Sequence, residues 1–168
     1  MNFNIINAGD SLAHEIYHSY CTSFPEDERR GEAQFWDLFD NEYAQIVSIV
    51  KEEKNIGYLI LWELSEFVFV EHFEIFSQFR GQNFGSEVLA HLIQKRGELI
   101  LETEPVELNT IAERRVKFYE RNGFSILKKD YIQPSYGEGK NELNLFLMGT
   151  FSPEDLEKSI AEIYEIIY

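Results

Sequence analysis

The stretch between residues 67 and 102 constrains the fold more than any other part of this chain. Residues 67–76 (FVFVEHFEIF) are apolar on both faces apart from Glu71, His72 and Glu74, and a strand of that kind is expected at the centre of a sheet, covered on each side. Alternation places Glu71 on one face with Phe69, Phe73 and Ile75, and His72 on the other. After a loop containing Gly81 and Gly85, residues 84–94 carry Val88, Leu89, Leu92 and Ile93 on one stripe, the pattern of a helix packed on a sheet. Residues 99–102 (LILE) read as a second buried strand. Strand, crossover helix and strand make a parallel pair, because antiparallel neighbours need no such crossover.

The remaining segments build around that unit. Residues 3–7 read as a short strand, and Asp10 or Ser11 can cap a helix with Leu12, Ile16 and Tyr20 four apart, ending near Phe24-Pro25. A polar connection over 26–30 leads to a weaker helical patch at 34–39, with Phe35, Trp36 and Phe39 as its apolar members. Residues 46–50 and 57–62 flank the charged turn 52–55 and predict an antiparallel hairpin. A helix over 110–122 should close at Gly123, and 125–131 with 144–148 form a last hairpin across a loop holding Pro134 and Gly137. Ser152 as N-cap and Pro153 at the first helical position predict a C-terminal helix, with Leu156, Ile160, Ile163 and Ile167 on its apolar face. The expectation is an α/β fold in one domain over residues 1–168, with 151–168 as its C-terminal helix. The central sheet is mixed, with antiparallel N-terminal strands, one parallel pair in the middle and flanking helices.

Charge narrows the function. The net charge of −15 argues against nucleic acid as a partner, since binding a duplex needs a basic face to displace counterions. Yet residues 80–121 are neutral, with seven Lys and Arg against seven Glu, which fits either two helices of mixed surface charge or a phosphate-bearing ligand. The one cysteine, Cys21, cannot form an internal disulfide or seed a zinc site, so no metal is expected. No apolar run reaches the length of a membrane span, and Met1-Asn2-Phe3-Asn4 lacks the basic start and apolar run of a signal peptide. A cytoplasmic protein without a membrane partner is the expectation.

The chemistry starts at Gln78-Phe79-Arg80-Gly81-Gln82-Asn83-Phe84-Gly85-Ser86, between the buried strand and the helix. Backbone N–H groups at such a turn are unpaired and converge, and the helix dipole adds positive charge, so a pyrophosphate can be held without many basic side chains. A plain connection with two glycines for turning remains open. Neither the three-glycine dinucleotide fingerprint nor the Gly-Lys-Ser/Thr of a Walker loop occurs here, which makes a nucleotide-binding domain a poor candidate.

Arg80-Gly81-Gln82-Asn83-Phe84-Gly85 resembles the acyl-CoA loop of the Gcn5-related N-acetyltransferases, Arg/Gln-x-x-Gly-x-Gly/Ala, with Asn83 in place of the middle glycine. Residues 115–124 (RVKFYERNGF) are similar to the family's Phe/Leu-Tyr-Glu-x-x-Gly-Phe helix end, and Leu101-Glu102-Thr103 to its Leu-Glu-Val strand. Ala112 stands where the family usually has an Asn. The resemblance implies the acyl-CoA N-acyltransferase fold, in which the two central parallel strands splay apart. It also implies an acyltransferase that moves an acetyl group from acetyl-CoA, as co-substrate, to a primary amine by direct attack in a ternary complex.

In that frame Ile75 and Phe76 lend backbone groups to the pantetheine arm, while Arg80, Gly81, Gln82, Asn83, Phe84, Gly85 and Ser86 surround the pyrophosphate. Attack needs a neutral amine, and a primary alkylamine has a pKa of about 10, so a group must accept its proton. The resemblance makes Glu102 the first choice, with Glu71 or an ordered water as alternatives, and gives Tyr119 the task of protonating the leaving thiolate. The acceptor, a small-molecule or peptide amine, would touch the first helix, residues 24–30 and residues 131–141. A module that binds acyl-CoA without turning it over is the competing reading, and the C-terminal helix could serve a homodimer.

Overall fold

The computed structural model describes residues 1–168. Its sheet contains β1 (Asn2–Ile5), β2 (Ala44–Lys51), β3 (Lys54–Glu63), β4 (Val68–Ile75), β5 (Leu99–Thr103), β6 (Ser125–Gln133) and β7 (Leu143–Gly149), in the order β1-β2-β3-β4-β5-β7-β6. The neighbouring strands are antiparallel except β4 and β5, the parallel pair that the strand–helix–strand pattern requires.

Alternation along β3 explains how both faces are buried. Tyr58, Ile60 and Trp62 meet α1 (Ser11–Ser23), α2 (Glu32–Asp37) and α5 (Leu156–Ile167), through Ile16, Tyr20, Phe35, Ile160 and Ile163. Ile56, Leu59 and Leu61 point the other way, toward Val88, Leu89 and Leu92 of α3 (Phe84–Arg96) and Val116 of α4 (Thr110–Arg121). A strand with apolar side chains at successive positions can be stable only between two such layers. No helix is long and apolar enough to cross a membrane.

Two irregularities of β4 shape the centre of the molecule. Pairing with β5 is confined to Val68↔Leu99, Phe69↔Ile100 and Val70↔Leu101. Beyond that point β4 stays on β3 up to Gly57↔Ile75, whereas β5 stays on β7 through Thr103↔Phe146, and the two strands part. The ladder between β3 and β4 also slips by one residue, from Leu61↔Val70 to Ile60↔His72, so Glu71 is the extra residue of a β-bulge. The bulge corrects the expected faces. Glu71 does not share a face with Phe73 and Ile75, which pack toward α3 and α4, and His72 is not opposite Glu71. Both point toward Tyr20 and α1, because one inserted residue breaks the period of two.

Other boundaries shift for local reasons. The β2–β3 turn is only Glu52-Glu53, with φ of +50° and +64°, the left-handed pair that matches strand twist in a two-residue hairpin, while Lys54 and Asn55 already belong to β3. Helix α5 starts after Asp155, whose carboxylate accepts from Lys158 N at 3.0 Å; Ser152 and Pro153 lie outside it. At Gly57, a Cβ would sit 2.1 Å from the Glu74 carbonyl oxygen, a contact with rigid backbone on the strand that borders the parting. Gly57→Ala is therefore expected to destabilise the fold by about 1–3 kcal/mol, read as a lower urea midpoint at unchanged slope.

Candidate active site

Where β4 and β5 part, a cavity of about 480 Å³ opens, lined among others by Glu71, His72, Phe73, Glu74 and Ile75 from β4, Glu102 and Thr103 from β5, and Phe118 and Tyr119 from α4. The β4 edge past Val70 has no β5 partner there, so its backbone groups on that side are available to a ligand.

The glycine-containing loop lies at the end of β4. Arg80 N donates to Ser77 O, and the next engaged backbone N–H is that of Glu87, on Asn83 O. The N–H groups from Gly81 to Ser86 therefore have no backbone partner at the N-terminus of α3. Gly81 and Asn83 hold φ of +76° and +63°, so Asn83 adopts the left-handed torsion that a glycine would otherwise supply. Gly85 permits a close approach, since a Cβ there would meet Phe118 Cζ at 3.0 Å. Of the two strand-end residues, Ile75 lines the cavity and Phe76 turns toward Tyr58 on the α1 face. Arg80 does not extend along the loop. Its Nε donates to Ile75 O at 2.7 Å and its Nη2 lies 3.3 Å from Glu74 Oε1, fastening the loop to β4.

The two candidate carboxylates occupy opposite environments. Glu71 Oε1 accepts from Arg30 Nε at 3.0 Å and from the Tyr136 hydroxyl at 2.7 Å, while Oε2 accepts from Trp62 Nε1 at 2.7 Å. Burial alone would raise its pKa, but the Arg30 guanidinium, with the hydrogen bonds from Tyr136 and Trp62, outweighs burial and holds the carboxyl below its ordinary value. Glu71 is thus an anchored anion whose two oxygens are already engaged. Glu102 accepts one hydrogen bond, from the Tyr168 hydroxyl to Oε2 at 2.8 Å, and its Oε1 is buried without a partner. The Tyr131 phenol also faces it and favours its charged form, although neither that hydroxyl nor Oε1 has a formed hydrogen bond. Burial dominates, offset in part by the two phenols and reinforced by the Glu71 charge, and pushes Glu102 up to about 7. A carboxyl poised there can take a proton at neutral pH.

Tyr119 lies on α4 at the cavity wall, and burial raises its pKa, so it stays a protonated donor. His72 packs edge-on against Tyr20 and Phe24. Burial lowers its pKa to about 4, and the ring is neutral. Arg115 pairs with Glu104 at 2.6 Å, and Arg114 also lines the cavity. Ser23, Phe24, Glu28 and Gln133, from α1, the 24–30 loop and the end of β6, line it too. Arg30, Trp62, Tyr136 and Tyr168, which set the state of the two carboxylates, carried no signal in the sequence, because Arg30, Tyr136 and Tyr168 are at least 41 residues from their partners and Trp62, nine away, lies on a different strand. Glu74, which accepts from Ser19 and Ser23 at 2.9 and 2.6 Å, was visible only as a polar residue in an apolar strand.

Comparison with known proteins gives one consistent picture. Residues 13–124 match the sequence profile of the Acetyltransferase (GNAT) family. The Bacillus subtilis (strain 168) protein described as "Putative acetyltransferase YjbC" is 29% identical over 157 residues, covering 90% of this chain and 80% of that one. A Bacteroides thetaiotaomicron structure, described as a "Putative acetyltransferase from GNAT family", is 30% identical, covers 100% of this chain and 98% of its own, and superposes with a TM-score of 0.92. A GNAT family acetyltransferase from Elizabethkingia anophelis, solved with acetyl-CoA bound, shares the fold at a TM-score of 0.60 and 15% identity, covering 88% of this chain and 95% of its own.

Removing Glu71 would leave Arg30 as a buried, unpaired cation, with its side chain only 9% exposed. Glu71→Ala is expected to cost about 3–5 kcal/mol in denaturant unfolding. Because the folded-state pKa of Glu71 lies below its unfolded value, its contribution in the parent protein is present above the ordinary carboxylate pKa and fades as pH falls through the depressed one.

Proposed function

The chain belongs to the Acetyltransferase (GNAT) family, and from that premise we propose that it acetylates a primary amine with acetyl-CoA by direct attack in the cavity between β4 and β5. The observation that carries this reading is the pairing, in one cavity, of a buried carboxyl poised near neutral pH, Glu102, with a protonated phenol, Tyr119. The residues present fit the co-substrate. Six backbone N–H groups without backbone partners suit a pyrophosphate, and the open edge of β4 suits the amides of a pantetheine arm.

Acetyl-CoA, when bound, supplies a thioester whose acetyl group passes from sulfur to nitrogen. In this reading Glu102 removes the amine proton, directly or through a water, and Tyr119 gives a proton to the departing sulfur. Each is in the right state at neutral pH, Glu102 because burial holds it close to its titration point and Tyr119 because burial keeps its proton on. Glu71 is already neutralised by Arg30 and serves to hold the walls. Glu74 and Glu104 at the cavity are paired with Arg80 and Arg115, so it is the net charge of −15 over the whole chain that favours the approach of a cationic amine.

The test is calorimetric titration with acetyl-CoA, with ATP and NAD as controls, followed by free-thiol release against a panel of amines. Saturable binding of acetyl-CoA alone and thiol release that depends on an amine are expected; binding without turnover of any amine would favour a non-catalytic acyl-CoA module. For an active amine, Glu102→Gln is expected to lower kcat by about 10²–10⁴ with acetyl-CoA affinity unchanged. The acid limb of kcat/KM should fall near pH 7, losing tenfold per unit below it as the carboxyl protonates.

A further inference from the structure

The end of α5 is fastened to both carboxylates of the cavity. Arg30 Nη2 donates to the carbonyl of Ile167 at 2.8 Å while its Nε holds Glu71. One residue on, the Tyr168 hydroxyl donates to Glu102 Oε2 at 2.8 Å. The Tyr168 ring packs on Tyr136 with centroids 5.1 Å apart, and the Tyr136 hydroxyl reaches back to Glu71. Both phenols therefore have fixed rings as well as fixed hydrogen bonds.

For Glu102, Tyr168 makes the one fully formed hydrogen bond, while the Tyr131 phenol beside it, with no formed bond to either oxygen, also favours the charged form. We propose that Tyr168 is a positioning residue for Glu102, its hydroxyl holding Oε2 and with it the orientation and proton affinity of the carboxyl. This rests on the reading of Glu102 as the base. As the amine nitrogen bonds to the acetyl carbon and the carbon–sulfur bond breaks, one proton passes from nitrogen to the Glu102 carboxylate, directly or through a water, and another from Tyr119 to sulfur. Glu102 then releases its proton to water and Tyr119 regains one. No other reactant is required.

A donor at Oε2 also favours the anion. The groups facing Glu102 are Glu71 from β4, with Arg30 and His72 beside it, Tyr131 from β6, Tyr136 from the β6–β7 loop, and Tyr164 and Tyr168 from α5. The cation among them, Arg30, is paired with Glu71. Without the Tyr168 hydroxyl the carboxylate loses its one fully formed hydrogen bond and keeps only the Tyr131 phenol, so its proton affinity rises. Tyr168→Phe keeps the ring against Tyr136 and removes only the hydroxyl.

The experiment follows the ¹³C-labelled Glu102 carboxyl by NMR titration in parent and Tyr168→Phe proteins, beside pH profiles of kcat/KM. The titration midpoint of Glu102 is expected to rise by roughly one unit in the variant, as for loss of a hydrogen bond to a charged group, and the acid limb to rise with it, while KM for acetyl-CoA stays unchanged. Replacement of Tyr168 by 3-fluorotyrosine, a stronger donor in the same shape, is expected to move both the other way, and serves should Tyr168→Phe not fold. A Glu102 midpoint unmoved by either change overturns the role of Tyr168 and leaves the base assignment standing. A midpoint that moves while the acid limb does not overturns Glu102 as the base, and the positioning role with it.

Discussion

The carboxylate of Glu71 is the point on which the cavity depends. It sits at the bulge of β4 and gathers Arg30 from the connection after α1, Trp62 from β3 and Tyr136 from the β6–β7 loop around two oxygens. Through Arg30 the same cluster takes hold of the last turn of α5, and the Arg30 guanidinium lies 5.1 Å from the ring centroids of both Trp62 and Tyr136. A buried ion pair is a weak source of net stability, because desolvation offsets most of the attraction, but it is demanding of geometry. Here that demand fixes the mutual placement of four separate segments behind the part of the cavity that Glu71 lines.

The parting of β4 from β5 is the second constraint. A parallel pair held by three residue pairs and then opened leaves backbone groups without partners in the middle of a sheet, a state that would be costly if it were dry and closed. It is tolerated because each strand keeps its other neighbour, β3 or β7, so the opening costs one ladder rather than two. The unpaired N–H groups of residues 81–86 at the start of α3 are a similar case. In the function proposed above, both places where hydrogen bonding is incomplete serve the co-substrate.

Two glutamates of similar sequence context end in different states for physical reasons that can be named. Glu71 has a cation and two neutral donors, and remains charged. Glu102 has two phenols and no cation, and is poised near neutrality. Environments that push two carboxyls apart in this way separate an anchoring anion from a group able to exchange a proton.

The sequence by itself determined the order of elements, the two-sided burial of β4, the parallel pairing with β5 and the position of the Gly81–Ser86 loop. Each follows from local periodicity, from the handedness of crossovers or from short turn signals, all readable within a few residues. The resemblance of Arg80-Gly81-Gln82-Asn83-Phe84-Gly85 and of residues 115–124 to a known family was equally local. Only the tertiary structure decided that Glu71 and His72 share a face, because the bulge that puts them there is a property of the β3–β4 ladder and not of β4 alone. It alone decided which carboxylate is paired, since Arg30 is 41 residues from Glu71, Tyr136 is 65 away, and Tyr168 is 66 from Glu102. The ionisation of a buried group is set by neighbours in space, and no pattern along the chain specifies which distant side chains the fold will bring to it.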